Sequence, residues 1–257
     1  MPGNSIGHTV LTERDMRFLR ELAIARVVDQ KQASALAGFG IRSAANARLL
    51  KLVRLGVLNH FFLGTLAGGK KALYTLSRKG AQQVQSPLRL LKRRRDALLV
   101  GDQFIEHQLV VNQIYIQAKC LPQIGFRFHR WLTFPAVLSN SVPLVPDGYF
   151  EGEGPRGTLA MFCEVDRGTE TLRVWKQKIS LYLRLATTGE FERLFGQKRF
   201  GVLVIVPTIG RLKSIRRTVT QQTEKIFWFS TLENINRDGL FSAHWLRPVG
   251  EETHSLL

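Results

Sequence analysis

The sequence predicts an α+β protein in two parts: helices closed by a β-hairpin, then an α/β segment with a mixed sheet. Three observations carry this. Apolar residues recur at spacings of three and four between residues 12 and 55, the period of amphipathic helices. Two extended apolar runs then flank Gly68-Gly69-Lys70-Lys71, a glycine turn between strands. From residue 102 onward helical patterns alternate with strand-like runs, as in a layered α/β fold.

The first helix is expected to begin at Thr12, where a hydroxyl stands three residues before Asp15, close to a capping box. Met16, Leu19, Leu22, Ala23 and Val27 form its apolar stripe. A second helix runs from Asp29 to Leu36, capped by Asp29, with Ala33, Leu36 and Ala37 inward, and Gly38 and Gly40 supply a tight turn. The third covers 41–55 and buries Ile41, Ala45, Leu49, Leu52, Val53 and Leu55, leaving Arg42, Asn46, Arg48, Lys51 and Arg54 mostly outside that stripe. Gly56 ends it at the position that favours a left-handed residue. The hairpin spans His60–Leu66 and Ala72–Leu76, with Lys70 and Lys71 at its tip. Three helices followed by a basic-tipped hairpin describe a winged helix-turn-helix, expected over residues 1–88.

Charge points to the partner of such a unit. The chain has 257 residues and a formal net charge of +17. Residues 1–100 hold 18 Lys and Arg against 5 Asp and Glu, a net of +13, and the remaining 157 carry only +4. A basic excess concentrated in the helical part implies a polyanion, here double-stranded DNA. A recognition helix in the major groove would bring Arg42, Asn46, Arg48 and Lys51 to base edges and phosphates. Ser43 near its start can donate to a phosphate, and Lys70 and Lys71 reach adjacent phosphates. Lys92-Arg93-Arg94-Arg95 follows Ser86-Pro87. It either lies along DNA, with Arg93 and Arg94 in contact, or is a solvated linker; the domain boundary is placed at 86–96.

The hydrophobic fraction of 44% and charged fraction of 22% belong to a globular chain. No window holds the eighteen or so uncharged apolar residues of a membrane span, and the N-terminus lacks a signal-peptide pattern, so a cytoplasmic protein is expected. Cys120 and Cys163 are too few for a disulfide framework or zinc site. The histidines are scattered, and the phosphate-loop pattern GxxxxGK[ST] does not occur.

In the second part, helices are expected over 102–119, 173–186 and 215–225, and strands over 126–134, 147–153, 157–165, 201–207 and 226–232. Trp175, Tyr182 and Trp228 are read as core, and the tail after Arg247 as frayed. Glu164 and Asp166 sit two apart at the end of a strand, so both face one side, and Asp147 can converge from a neighbouring strand. With Lys178 on the next helix, these three carboxylates have the make-up of a magnesium- or manganese-dependent phosphodiesterase site. Thr169 and Glu170 can instead cap that helix.

The order PDG (146–148), EVDRGTE (164–170), then Lys178 and Tyr182, together with FIEHQLVVNQIY (104–115), resembles the replication-relaxation family of plasmid and mobile-element proteins. The resemblance covers roughly residues 12–232. It implies a winged helix joined to a core, here 97–248, that is similar to the PD-(D/E)xK restriction-endonuclease fold. It further implies DNA binding in plasmid replication control or transfer; transcriptional regulation, and a scaffold that recruits other replication or transfer proteins, are the alternative roles. It matches Asp147 and Glu164 to the two acids of the nuclease motif. The motif's lysine position holds Asp166. Three readings stay open: a carboxylate variant that still cuts, a lysine supplied from Lys178, or a decayed site whose core only binds or forms a homodimer.

Overall fold

The structure is a computed structural model that describes residues 11–64, 68–87, 102–121 and 123–257. The basic run at 92–95, with Arg93 and Arg94, lies outside the described residues. The architecture is α+β, with a three-stranded antiparallel sheet and a seven-stranded mixed sheet. Among the described residues no helix is long and apolar enough to cross a membrane.

The chain divides into two compact units, Met1–Ile116 and Gln117–Leu257. The first contains α1 (Glu13–Ala25), β1 (Val28–Asp29), α2 (Gln30–Ala37), α3 (Arg42–Arg54), β2 (Leu58–Gly64), β3 (Lys70–Leu76) and α4 (Arg78–Gln83). The capping box forms as expected. The Thr12 hydroxyl accepts the Asp15 N–H at 3.2 Å, and the Asp15 carboxylate accepts the Thr12 N–H at 2.7 Å. α1 stops at Ala25 rather than running through Val27, because Arg26 turns to φ 66°; Val27 is nonetheless buried. Asp29 caps α2 by accepting from the Gln32 N–H at 2.9 Å, and Gly38 closes it at φ 63°. Ala45, Leu49 and Leu52 of α3 are buried, whereas Ile41, expected in the stripe, is exposed just ahead of the helix. β2 and β3 pair from Leu58↔Leu76 to Gly64↔Lys70. β1 adds a third strand on β3; two residues are too short to show a period in sequence.

Arg48 does not join the other polar residues of α3 at the surface. Its guanidinium pairs with both oxygens of Asp15, with Nε at 2.8 Å. Asp15 is 1% exposed. Burial pushes the Asp15 carboxyl up, but hydrogen bonds from Arg48 and Thr12 outweigh this and hold it below the usual carboxylate range. The pair therefore ties α3 to α1.

The long helix α5 (Gln103–Cys120) begins in the first unit. Asn112 Nδ2 donates to the carbonyls of Ala25 (3.1 Å) and Val27 (2.6 Å), and Gln32 Nε2 donates to that of Leu109 at 2.7 Å. Ile105 and Leu109 pack with Val27, Leu63 and Leu73. These contacts tie the part of α5 before Gln117 to the first unit.

The second unit continues with β4 (Arg127–Leu132), β5 (Gly148–Gly154), β6 (Gly157–Val165), α6 (Leu172–Thr187), α7 (Glu190–Phe195), β7 (Gly201–Val206), α8 (Ile209–Thr220), β8 (Phe227–Thr231), α9 (Leu232–Asp238), β9 (Trp245–Leu246) and β10 (Thr253–His254). The sheet order is β10-β9-β8-β7-β6-β5-β4. β6, β7 and β8 are parallel neighbours and the remaining pairs antiparallel. α8 begins six residues earlier than the expected 215, because Thr208 caps it by accepting from the Arg211 N–H at 3.2 Å. Its buried Leu212, Ile215 and Val219 keep helical spacing. The tail is not frayed: β10 pairs with β9 and Leu256 is buried. Ala160, Phe162, Trp175, Ile179, Tyr182, Val202, Val204 and Phe227 are among the residues of the core formed by the sheet, α6 and α8.

Arg48→Ala would leave the buried Asp15 carboxylate without its cation. The expected result is a loss of about 3 kcal/mol in urea unfolding followed by far-UV circular dichroism, with partial recovery in Arg48→Lys.

Candidate nucleic-acid face and acidic cluster

Two groups of predicted site residues occupy different units. In the first unit, α3 exposes Arg42, Ser43, Asn46, Lys51 and Arg54 along the face opposite its buried stripe. The helix contains no acidic residue. Lys70 and Lys71 are exposed at the start of β3. Lys71 stands 3.6 Å from Asp29, a solvent-screened pair of little strength. Of the α3 residues expected on this face, Arg48 is the one turned inward.

The second group assembles around the end of β6. The β5–β6 register pairs Gly148 with Cys163, so Asp147, one residue earlier, falls opposite Glu164. Asp147 Oδ2 accepts the Val165 N–H at 2.7 Å. Glu164 points to the α6 side along with Ala160 and Phe162, two and four residues before it, and has no exposed surface. Its Oε1 accepts from the Tyr182 hydroxyl at 2.5 Å and its Oε2 from Lys178 Nζ at 2.8 Å. Lys178 also donates to Glu170 at 2.8 Å. Glu170 Oε2 is buried with no hydrogen-bond partner.

Burial pushes the Glu164 carboxyl up to about 7 against the pull of the Lys178 ammonium, and the Asp147 charge adds to the rise. Burial opposes the charge on Lys178, yet Glu164, Asp147 and Glu170 together hold its pKa above the ordinary lysine value. Burial also drives the Tyr182 hydroxyl well above its usual value, reinforced by Glu164.

Asp166 shares the α6 side of the strand but not this cluster. Its carboxylate accepts from Trp175 Nε1 at 2.6 Å, from Arg211 at 3.2 and 2.5 Å, and from the Gly168 N–H. Burial raises the Asp166 carboxyl, but these donors, Arg211 foremost, take it below the usual range. The expected triad of Asp147, Glu164 and Asp166 thus separates into two arrangements with different donors. The cap of α6 is Thr171, which accepts from the Val174 N–H at 3.3 Å, so Glu170 is released to take Lys178.

Sequence reasoning missed Arg211 and the polar roles of Trp175 and Tyr182. Trp175, Lys178 and Tyr182 are spaced three and four apart on α6, which puts all three on one helix face; that spacing was the available signal. Arg211 gave none, because it lies 45 residues from Asp166.

The donor set does not suit a divalent cation as it stands. Magnesium and manganese need several carboxylate or carbonyl oxygens with open lone pairs. Here an ammonium sits between Glu164 and Glu170, and Asp166 is saturated by a guanidinium and an indole. Among the described residues no three His, Cys, Asp or Glu are placed to hold a metal ion.

A family model described as replication-relaxation matches residues 14–197. The chain belongs to the replication-relaxation family. The matched span takes in α1 through α7, and with them both the exposed face of α3 and the Asp147–Glu164–Lys178 cluster. Membership in the replication-relaxation family suggests a role in plasmid or mobile-element replication or transfer. Comparisons with curated proteins and with solved structures gave no match.

Removing the ammonium in Lys178→Met leaves Glu164 facing Asp147 uncompensated, and its folded-state pKa rises further above the ordinary 4.5. A carboxyl raised in the folded state contributes stability at low pH that is lost as pH climbs through the folded value. Urea unfolding read by tryptophan fluorescence should therefore show Lys178→Met destabilised by about 3 kcal/mol near pH 8 and much less near pH 5.

Proposed function

We propose that this protein binds double-stranded DNA through a winged helix-turn-helix formed by its first unit, in the replication control or transfer of a plasmid or mobile element. The observation that carries the proposal is α3: it buries Ala45, Leu49 and Leu52 and exposes Arg42, Ser43, Asn46, Lys51 and Arg54 with no acidic residue among them. In this reading α3 enters the major groove. Arg42 and Asn46 in its first turns reach base edges, as arginine does to guanine and asparagine to adenine. Ser43 donates to a phosphate at the helix start. Lys51, Lys70 and Lys71 meet backbone phosphates, which fix register rather than sequence. Arg48 contributes indirectly, by holding α3 against α1 through Asp15. The second unit supplies a surface for a second copy or for replication or transfer proteins.

Fluorescence anisotropy with duplex DNA tests this. Arg42→Ala and Asn46→Ala should each weaken binding to a selected site by roughly 1–3 kcal/mol, and Lys51→Ala should weaken all sequences alike while reducing the salt slope by about 1. Unchanged affinity in all three would remove α3 as the recognition helix.

A metal-dependent endonuclease is the second reading. It is favoured by the register that sets Asp147 opposite Glu164 with Lys178 alongside, the acids and amine of a nuclease motif with its lysine moved to a helix. It needs Lys178 to surrender Glu164 and Asp166 to leave Arg211. Supercoiled plasmid incubated with EDTA, magnesium or manganese decides between the two. Intact plasmid throughout, with a salt-sensitive gel shift, is expected. Metal-dependent nicking that disappears in Asp147→Ala/Glu164→Ala would establish the nuclease.

A further inference from the structure

The second unit has an open recess of about 570 Å³ between the start of β6, the end of α6, the α7–β7 loop and β8. This size lies within the range of small-molecule sites. Three of its lining residues are cationic (Lys198, Arg199 and Arg247) and none is acidic. Lys198 and Arg199 are exposed on the loop before β7. Arg247 is half-buried, its guanidinium 4.2 Å from the centre of the Trp228 ring. Among the described residues no carboxylate lies within ion-pair distance of any of the three. Burial, opposed by no neighbouring acid, holds the Arg247 guanidinium below its ordinary value. A half-buried cation without a counter-ion is costly to keep.

The floor of the recess is apolar and carries backbone strain. Ile226, a β-branched residue, is held at φ 54°, a conformation such side chains rarely adopt and one that clusters at ligand sites. Gly201 lies beside it, where a Cβ would stand 2.7 Å from Met161 Cε and 3.2 Å from Trp228 Nε1. Its missing side chain leaves room there for the Met161 and Trp228 side chains.

We infer that this recess binds a nucleotide phosphate, with the phosphate against Lys198, Arg199 and Arg247 and the base or sugar on the apolar floor beside Trp228. The phosphate supplies the negative charge the three cations lack. An aromatic and an arginine within a basic groove are the elements by which proteins hold single strands without reading their sequence. The source of the nucleotide is either a single-stranded segment of nucleic acid or a free nucleotide. The site is independent of the α3 face and goes beyond the duplex binding proposed for it.

The test uses the full chain carrying Arg42→Ala/Lys51→Ala in every arm, so that loss of α3 binding and loss of this site are read separately. Trp228 is half-buried whereas Trp131, Trp175 and Trp245 are buried, so surface quenching reports mainly on Trp228. Deoxyadenosine monophosphate, a short oligothymidylate and inorganic phosphate are titrated in turn. Saturable quenching by the nucleotide or the oligonucleotide is expected, weakened at least about tenfold by Lys198→Ala/Arg199→Ala and abolished as a signal by Trp228→Phe. Three phosphate contacts predict a salt slope for the oligonucleotide of about −2, falling to about −0.7 in the double variant. Tighter binding of the oligonucleotide identifies the strand as the source; binding of the monophosphate alone identifies a free nucleotide. Absence of saturable binding by both, or binding that Lys198→Ala/Arg199→Ala leaves unchanged, overturns the inference.

Discussion

Glu164 has no contact with solvent, and it stands in a strand whose neighbours along the same face are Ala160 and Phe162. An isolated carboxylate in such surroundings is penalised by several kcal/mol unless it is paired and hydrogen-bonded. The second unit is arranged around that requirement. Lys178 and Tyr182 come from one face of α6 and satisfy both oxygens. This fixes the rotation of α6 on the sheet and turns Trp175 toward Asp166. Asp166 in turn draws Arg211 from α8, which also donates to the Glu170 carbonyl. Two buried acids, Glu164 near the end of β6 and Asp166 just beyond it, thus bind side chains from both helices, α6 and α8.

The same geometry accounts for the ambiguity of the acidic motif. Asp147, Glu164 and Lys178 come together as the acids and amine of a nuclease would. In this chain, however, lysine and tyrosine fill the lone pairs that a metal would use, and arginine neutralises the residue standing where the motif has its lysine. A buried carboxylate held by an ammonium and a hydroxyl can fasten a helix to a sheet without doing chemistry. Family membership suggests a role in replication or transfer; the exposed face of α3 is the surface proposed for it, and the recess beside Trp228 is a separate inference.

In the first unit the corresponding device is Asp15. It closes the capping box of α1 and receives Arg48 from α3, so one carboxylate both starts the first helix and fixes the third. The remaining polar side chains of α3 are left to solvent. Asn112 and Gln32 fasten the middle of α5 to the same unit through backbone carbonyls.

The sequence by itself determined what depends on neighbours along the chain. The caps at Thr12 and Asp29, the three helices, the hairpin with its glycine turn, the apolar strands β6 and β7 and the lopsided charge all follow from local periodicity, turn chemistry and composition. The pairing of Asp147 with Glu164 was also within reach, because strand register follows from alternation and turn placement. Only the tertiary structure decided which polar side chains pair. Arg48 reads as a surface residue until Asp15, 33 residues away, is brought beneath it. Asp166 reads as a metal ligand until Arg211 arrives from a helix 45 residues on. The two-residue strands β1, β9 and β10 are too short to carry a period of their own; β1 forms on the edge of β3, β9 on β8, and β10 in turn on β9. Buried charges must find partners wherever the packed chain supplies them, and that search is not written in the spacing of any one segment.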